Sequence, residues 1–145
     1  MSQVRELDAS ETRRAAAALL ELRPHVGSAE AMTARVDEAR AAGYRVAASF
    51  DEGVEDAAAV AGFRVGENLA WGRFLYVDDL VTRASARGRG HADAVMAWVT
   101  EEAERAGCGE LHLDSGVGRE REAAHRFYFR HGMRITSYHF ARELA

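Results

Sequence analysis

A single α+β domain with a mixed sheet and about four flanking helices is what this sequence predicts. Three observations lead there. The chain has 145 residues, of which 48% are hydrophobic, enough for one packed core and short for two. Apolar periodicity changes along the chain in the order β-α-α-β-β-β-α-β-α-β, with no internal repeat and no Gly/Ser-rich linker. The consecutive middle strands read as an antiparallel meander, and the later strand–helix alternation as βαβ crossovers. Residues 1–145 are therefore expected to form one domain.

Each element has its own signal. Val4 and Leu7 suggest a short first strand. Ser10 is the expected N-cap of a helix to about Leu22, where Ala16, Leu19 and Leu20 recur at helical spacing until Pro24 stops it. Ser28 opens a second helix to about Ala42, closed by Gly43. Tyr44 to Phe50 alternates and ends in the acidic turn Asp51-Glu52-Gly53. Ala57 to Val65 is the next apolar run, and Gly66-Glu67-Asn68 turns it toward Arg73–Thr82, rich in aromatic and β-branched residues. Arg87-Gly88-Arg89-Gly90 precedes a helix from His91 to about Ala106, with Ala92, Ala94, Val95, Trp98 and Val99 on its buried face. Glu110–Asp114 is a further strand, and Ser115-Gly116-Val117-Gly118 a loop. A helix over Glu120–His131, ended by Gly132, leads to a final strand or hairpin over Met133–Arg142.

Composition excludes several function classes. The net charge is -4 and all 19 basic residues are arginine, so nonspecific nucleic-acid binding is not expected. No stretch approaches the roughly 18 apolar residues needed to span a bilayer, and the N-terminus lacks the apolar core of a signal peptide. One cysteine, Cys108, allows no internal disulfide. The six histidines show no metal-ligand spacing. The expectation is a cytoplasmic protein with no metal, no membrane and no nucleic-acid partner. The acidic run Asp51–Asp56 reads as a solvated hairpin tip, or as a charged surface favouring a cationic amine.

The chemistry concentrates in the strand–loop–helix unit around Leu80-Val81-Thr82 and Arg87-Gly88-Arg89-Gly90-His91-Ala92. A helix N-terminus offers unpaired N–H groups and about half a unit of positive charge. Glycines let a phosphate approach the backbone, and Arg83, Arg87 and Arg89 add positive charge nearby. A diphosphate is the predicted ligand. A P-loop is excluded because there is no lysine, and a dinucleotide fingerprint fails because Asp93 stands where the third glycine belongs. An ordinary glycine turn with solvated arginines is the plain alternative.

Arg87-Gly88-Arg89-Gly90-His91-Ala92 resembles the Arg/Gln-x-x-Gly-x-Gly/Ala signature of the GNAT acyl-CoA-dependent N-acetyltransferases. Ala124-His125-Arg126-Phe127-Tyr128-Phe129-Arg130-His131-Gly132-Met133 is similar to that family's second segment, Ala-x-x-apolar-Tyr-x-x-x-Gly-Phe, with Met133 for Phe. The resemblance implies strands splayed around an acyl-CoA cleft, between Arg73–Thr82 and Glu110–Asp114. It implies that backbone groups of Leu80, Val81 and Thr82 bind pantetheine, and that N–H groups of Gly88, Arg89, Gly90, His91, Ala92 and Asp93 hold the diphosphate. Acetyl-CoA is then the acyl donor and a small-molecule or peptide amine the acceptor. Arg121 departs from the family, standing where relatives frequently carry an Asn that bonds pantetheine.

By residue type Tyr128 is a tyrosine packed on a helix; by resemblance it is the general acid for the departing thiolate. Asp78, Asp79 and Asp114 are candidate bases, with surface roles as the alternative. Two rival functions remain: a non-catalytic acyl-CoA-binding or interaction module, and a nucleotide-binding domain. A homodimer is an expectation of fold-level analogy alone.

Overall fold

The computed structural model describes residues 3–145. It divides into two compact units, one ending at His112 and one running from Leu113 to Ala145. The first unit contains β1 (Gln3–Leu7), α1 (Ala16–Leu22), α2 (Ala29–Arg40), β2 (Arg45–Phe50), β3 (Ala59–Asn68), β4 (Gly72–Thr82) and α3 (His91–Arg105), and leads into β5 (Glu110–Leu113). The second contains α4 (Glu122–Arg130). The strands form one sheet in the order β1-β2-β3-β4-β5. The first four are an antiparallel meander, and α3 is the crossover to β5.

Alternation along the strands splits the core by face. Val46, Ala48, Phe50 and Val60 join Leu19, Met32 and Val36 in one buried cluster, which sets α1 and α2 on that face. Ser49 and Phe63 meet α3 through His91 and Trp98 on the other. Small buried residues, Ala47, Ala59 and Ala61 among them, give the strands a low profile for the helices to approach.

Three expectations change. The first helical segment opens as a 3-10 turn over Ala9–Ala15, capped by Asp8 rather than Ser10: the Asp8 carboxylate accepts from Ser10 N–H at 2.9 Å. With Asp8 as the cap the helical segment starts two residues earlier, and Ser10 N–H becomes the orphan donor that the cap satisfies. The last helix also begins as a 3-10 turn, Arg119–Arg121, before α4. Finally, Met133–Arg142 forms no strand. Ile135, Tyr138 and Phe140 are exposed, and alternation specifies a strand only where one face is buried.

Candidate functional site

Leu80, Val81 and Thr82 close β4, opposite Ala61, Val60 and Ala59 of β3. Their other edge faces β5, which has four residues against eleven in β4 and cannot cover its length. Gly109 N–H donates to Arg73 O at 2.9 Å, at the opposite end of β4 from Thr82. The strand thus keeps an open backbone edge as it runs toward the loop.

Beyond Thr82, a 3-10 turn over Ala84–Ala86 leads to Gly88 and Gly90, both with φ +82°, a conformation costly for residues with a Cβ. A Cβ at either glycine would meet no atom within 4 Å, so these glycines serve backbone direction and leave the space before them open. Gly90 caps α3 without any side-chain hydrogen bond. A glycine in this position has no side chain with which to cap the first turn.

The arginines divide. Arg83 pairs with Glu21 at 3.3 Å and lies 4.0 Å from Asp56. Arg89 pairs with Asp51 at 2.5 Å and donates to Ser85 O. Arg87 alone of the three makes no ion pair among the described residues. The expected concentration of free positive charge is therefore mostly neutralised, and what remains is one exposed arginine and the backbone donors.

The Asp51 contact belongs to a buried relay. Ser49 Oγ lies 2.7 Å from His91 Nδ1, and His91 Nε2 lies 2.8 Å from Asp51 Oδ1. Since a carboxylate only accepts, a neutral His91 donates from Nε2 to Asp51 and accepts the Ser49 hydroxyl at Nδ1. Arg89, then His91, holds the Asp51 carboxyl below its usual range. Ser49 is fully buried and His91 is 2% exposed, so this Ser-His-Asp series has no access for a substrate. It ties the β2–β3 turn to the start of α3. Asp51 is thus a clamp on the loop, while the rest of the acidic run, Glu52 to Asp56, is exposed as a solvated tip.

On the α1/α2 face, a cavity of about 380 Å³ opens beside β4. Its polar wall is Asp79, which accepts from Tyr44 Oη at 2.7 Å and from Arg23 Nε at 3.0 Å. Burial first, then the Asp79 charge, pushes the Tyr44 phenol well above its usual range, so Tyr44 stays protonated and donates. Gly62 stands opposite Asp79, and a Cβ there would fall 1.6 Å from Tyr44 Oη. Only glycine leaves room for this hydroxyl. The register slips between Gly62 and Phe63, leaving Asp78 as a bulge in β4. Asp78 turns to Arg64, at 2.7 and 2.8 Å, so the paired aspartates face different partners. Asp79 is the one on the cavity.

In the second unit, Tyr128 is half-buried on α4, edge-on to Phe127 at 5.7 Å. Burial raises its phenol pKa, while the neighbouring Arg121 guanidinium pulls in the opposite direction. His125 Nε2 reaches Gly116 O at 2.7 Å and pins the preceding loop. Asp114 is exposed and lies 3.1 Å from His139. Among the described residues, no group of three or more His, Cys, Asp or Glu side chains stands together as a metal site, and no helix is long and apolar enough to cross a membrane.

The chain matches the Acetyltransferase (GNAT) family over residues 7–133; it belongs to that family. Among curated proteins it is 39% identical over 70 residues to the uncharacterized N-acetyltransferase YhdJ of Bacillus subtilis, covering 48% of each chain. It is 32% identical over 68 residues to the aminoalkylphosphonate N-acetyltransferase of Salmonella typhimurium, covering 47% of this chain and 43% of that one. The matched stretch spans about half the length of these curated relatives. Among solved structures, the aminoglycoside N-acetyltransferase AAC(6')-Iy in complex with CoA superposes with a TM-score of 0.83 at 17% identity, over 100% of this chain and 96% of that one. Glucosamine-6-phosphate N-acetyltransferase from Arabidopsis thaliana gives 0.75 at 21% identity, over 100% and 99%.

The sequence singled out the loop and Tyr128 as candidates; it did not single out Arg23, Tyr44 and Gly62, which the structure brings together around Asp79. Tyr44 and Asp79 are 35 positions apart, and no local pattern links them. The one signal was Gly62 inside a strand pattern, which marks a close approach.

Proposed function

We propose that this protein is an acyl-CoA-dependent N-acetyltransferase that moves an acetyl group from acetyl-CoA to a primary amine by direct attack. The observation that carries this is the open β4 edge running into an uncapped α3 start through two positive-φ glycines. Gly88 and Gly90 have clear space before them, which is what close approach of a diphosphate requires.

In this reading the N–H groups of Gly88, Arg89, Gly90, His91, Ala92 and Asp93 hold the diphosphate, and Arg87 adds charge. The Arg89 and His91 side chains are engaged with Asp51, so these residues contribute backbone and set the loop's shape. Backbone groups of Leu80, Val81 and Thr82 bind the pantetheine arm. An N–H there polarises the acyl carbonyl, a contribution of ~3 kcal/mol in comparable oxyanion sites. Acetyl-CoA supplies the thioester: the amine nitrogen forms the C–N bond as the C–S bond breaks, the amine loses a proton and the sulfur gains one.

Tyr128 donates the proton to sulfur. Its raised pKa keeps it protonated at neutral pH, and Arg121 eases the charge left on the phenol. Asp79 lines the acceptor cavity and orients the amine there or takes its proton through water. The named relatives act on different amines, so the acceptor must be inferred from this chain's own residues.

The test joins binding and turnover. CoA is expected to raise the melting temperature, and Gly90→Val to abolish that rise. Thiol release from acetyl-CoA with an amine panel is expected to fall on Tyr128→Phe while CoA stabilisation stays. Stabilisation by NAD or ATP instead of CoA contradicts the proposal.

A further inference from the structure

We infer that the acceptor is a zwitterion: a primary amine carrying its own carboxylate or phosphonate on a short aliphatic linker. This rests on the acetyl-transfer reading above and on the cavity between α1, α2 and β4.

The charges in the cavity do not balance. Asp79 is its one carboxylate and is already matched by Arg23 at 3.0 Å. Arg35, on α2, also lines the cavity and has no hydrogen bond or ion pair among the described residues. His25, on the turn after α1, stands there likewise without a partner among them. A ligand bringing only positive charge meets an uncompensated guanidinium. A ligand bringing an anion supplies what Arg35 lacks, and the planar fork of arginine suits carboxylate or phosphonate.

The amine end is fixed by the other wall. Each Asp79 oxygen accepts one hydrogen bond and keeps a lone pair for an amine N–H. Asp79 immediately precedes Leu80–Thr82 in β4, so an amine on Asp79 stands next to the backbone assigned to the thioester. The cavity lining also includes the apolar side chains Leu19, Val26, Met32 and Val36. An apolar lining beside these charged groups suits an aliphatic spacer.

The experiment compares initial rates of CoA release for 2-aminoethylphosphonate, β-alanine, propylamine and putrescine, with wild type and Arg35→Ala. Arg35 is exposed, so its removal spares the core. The expected result is kcat/KM at least about tenfold higher for the two anionic amines, equivalent to ~1.4 kcal/mol. Arg35→Ala then raises KM for those two, keeps kcat and leaves propylamine unchanged. A preference between phosphonate and carboxylate identifies the anion and supports the inference either way. Higher kcat/KM for propylamine or putrescine overturns it, as does an Arg35→Ala variant identical to wild type on all four. If no amine releases CoA, the transfer reading fails separately and calorimetric titration decides. Binding of 2-aminoethylphosphonate that Arg35→Ala removes upholds the site, and no binding overturns it.

Discussion

Gly62→Ala tests the Tyr44–Asp79 wall of the cavity most sharply, because one methyl group is set against one hydroxyl. The ideal Cβ at 62 lies 1.6 Å from Tyr44 Oη and 2.2 Å from Cζ. The Gly62 backbone is within reach of any residue, since its φ is not positive, so the whole cost falls on Tyr44. The ring must leave, and its 2.7 Å bond to Asp79 is lost. A hydrogen bond to a charged group is worth ~1.5–3 kcal/mol, and overpacking costs ~1–3 kcal/mol. Both losses share one cause, so together they come to about 2–4 kcal/mol. At about 2–4 °C per kcal/mol, the melting temperature falls by roughly 5–15 °C. Thermal unfolding of wild type, Gly62→Ala, Tyr44→Ala and the double variant closes a cycle. With Tyr44 gone the added methyl has nothing to strike, and Gly62→Ala then costs under about 0.5 kcal/mol. Equal costs in both backgrounds, or an unchanged melting temperature in the single variant, would contradict the close approach of Tyr44 to Gly62.

Further predictions follow from the same contacts. Asp51→Asn loosens the α3 start and weakens CoA binding in calorimetry with little change in kcat. In wild type the Asp51 pairing is intact above about pH 4, where even an unfolded aspartate is ionised, and CoA affinity falls as pH drops through its lowered folded pKa. Folded Tyr44 keeps a proton that the unfolded chain releases near pH ~10. Stability therefore declines as pH rises beyond that point, and Tyr44→Phe makes the decline in alkaline denaturation curves shallower. Tyr128→Phe lowers kcat by about 10²-fold or more, the usual reach of a positioned acid, with the CoA dissociation constant unchanged.

Local signals carried the meander, the two glycines and the end of α3 by themselves, because turn chemistry and period are properties of neighbouring residues. Ser28 as the α2 cap was readable for that reason and is confirmed by its bond to Ala31 N–H. The fate of the arginines was not readable. Arg83, Arg87 and Arg89 look alike in sequence, yet Glu21 and Asp51, 62 and 38 positions away, neutralise two of them. Asp79 was one of three equivalent candidates until the bulge at Asp78 and the partners Tyr44 and Arg23 set it apart. Met133–Arg142 shows the converse: its strand pattern is clear, and its apolar side chains Ile135, Tyr138 and Phe140 remain exposed.

In the proposed reaction an acetyl group moves to an amine nitrogen and Tyr128 supplies the sulfur's proton. Mass spectrometry of a primary-amine panel incubated with deuterated acetyl-CoA reads that transfer directly. An N-acetylated product carrying the label is expected from the wild type, strongly reduced with Tyr128→Phe. CoA binding with no labelled product from any amine would contradict it and leave a CoA-binding module in its place.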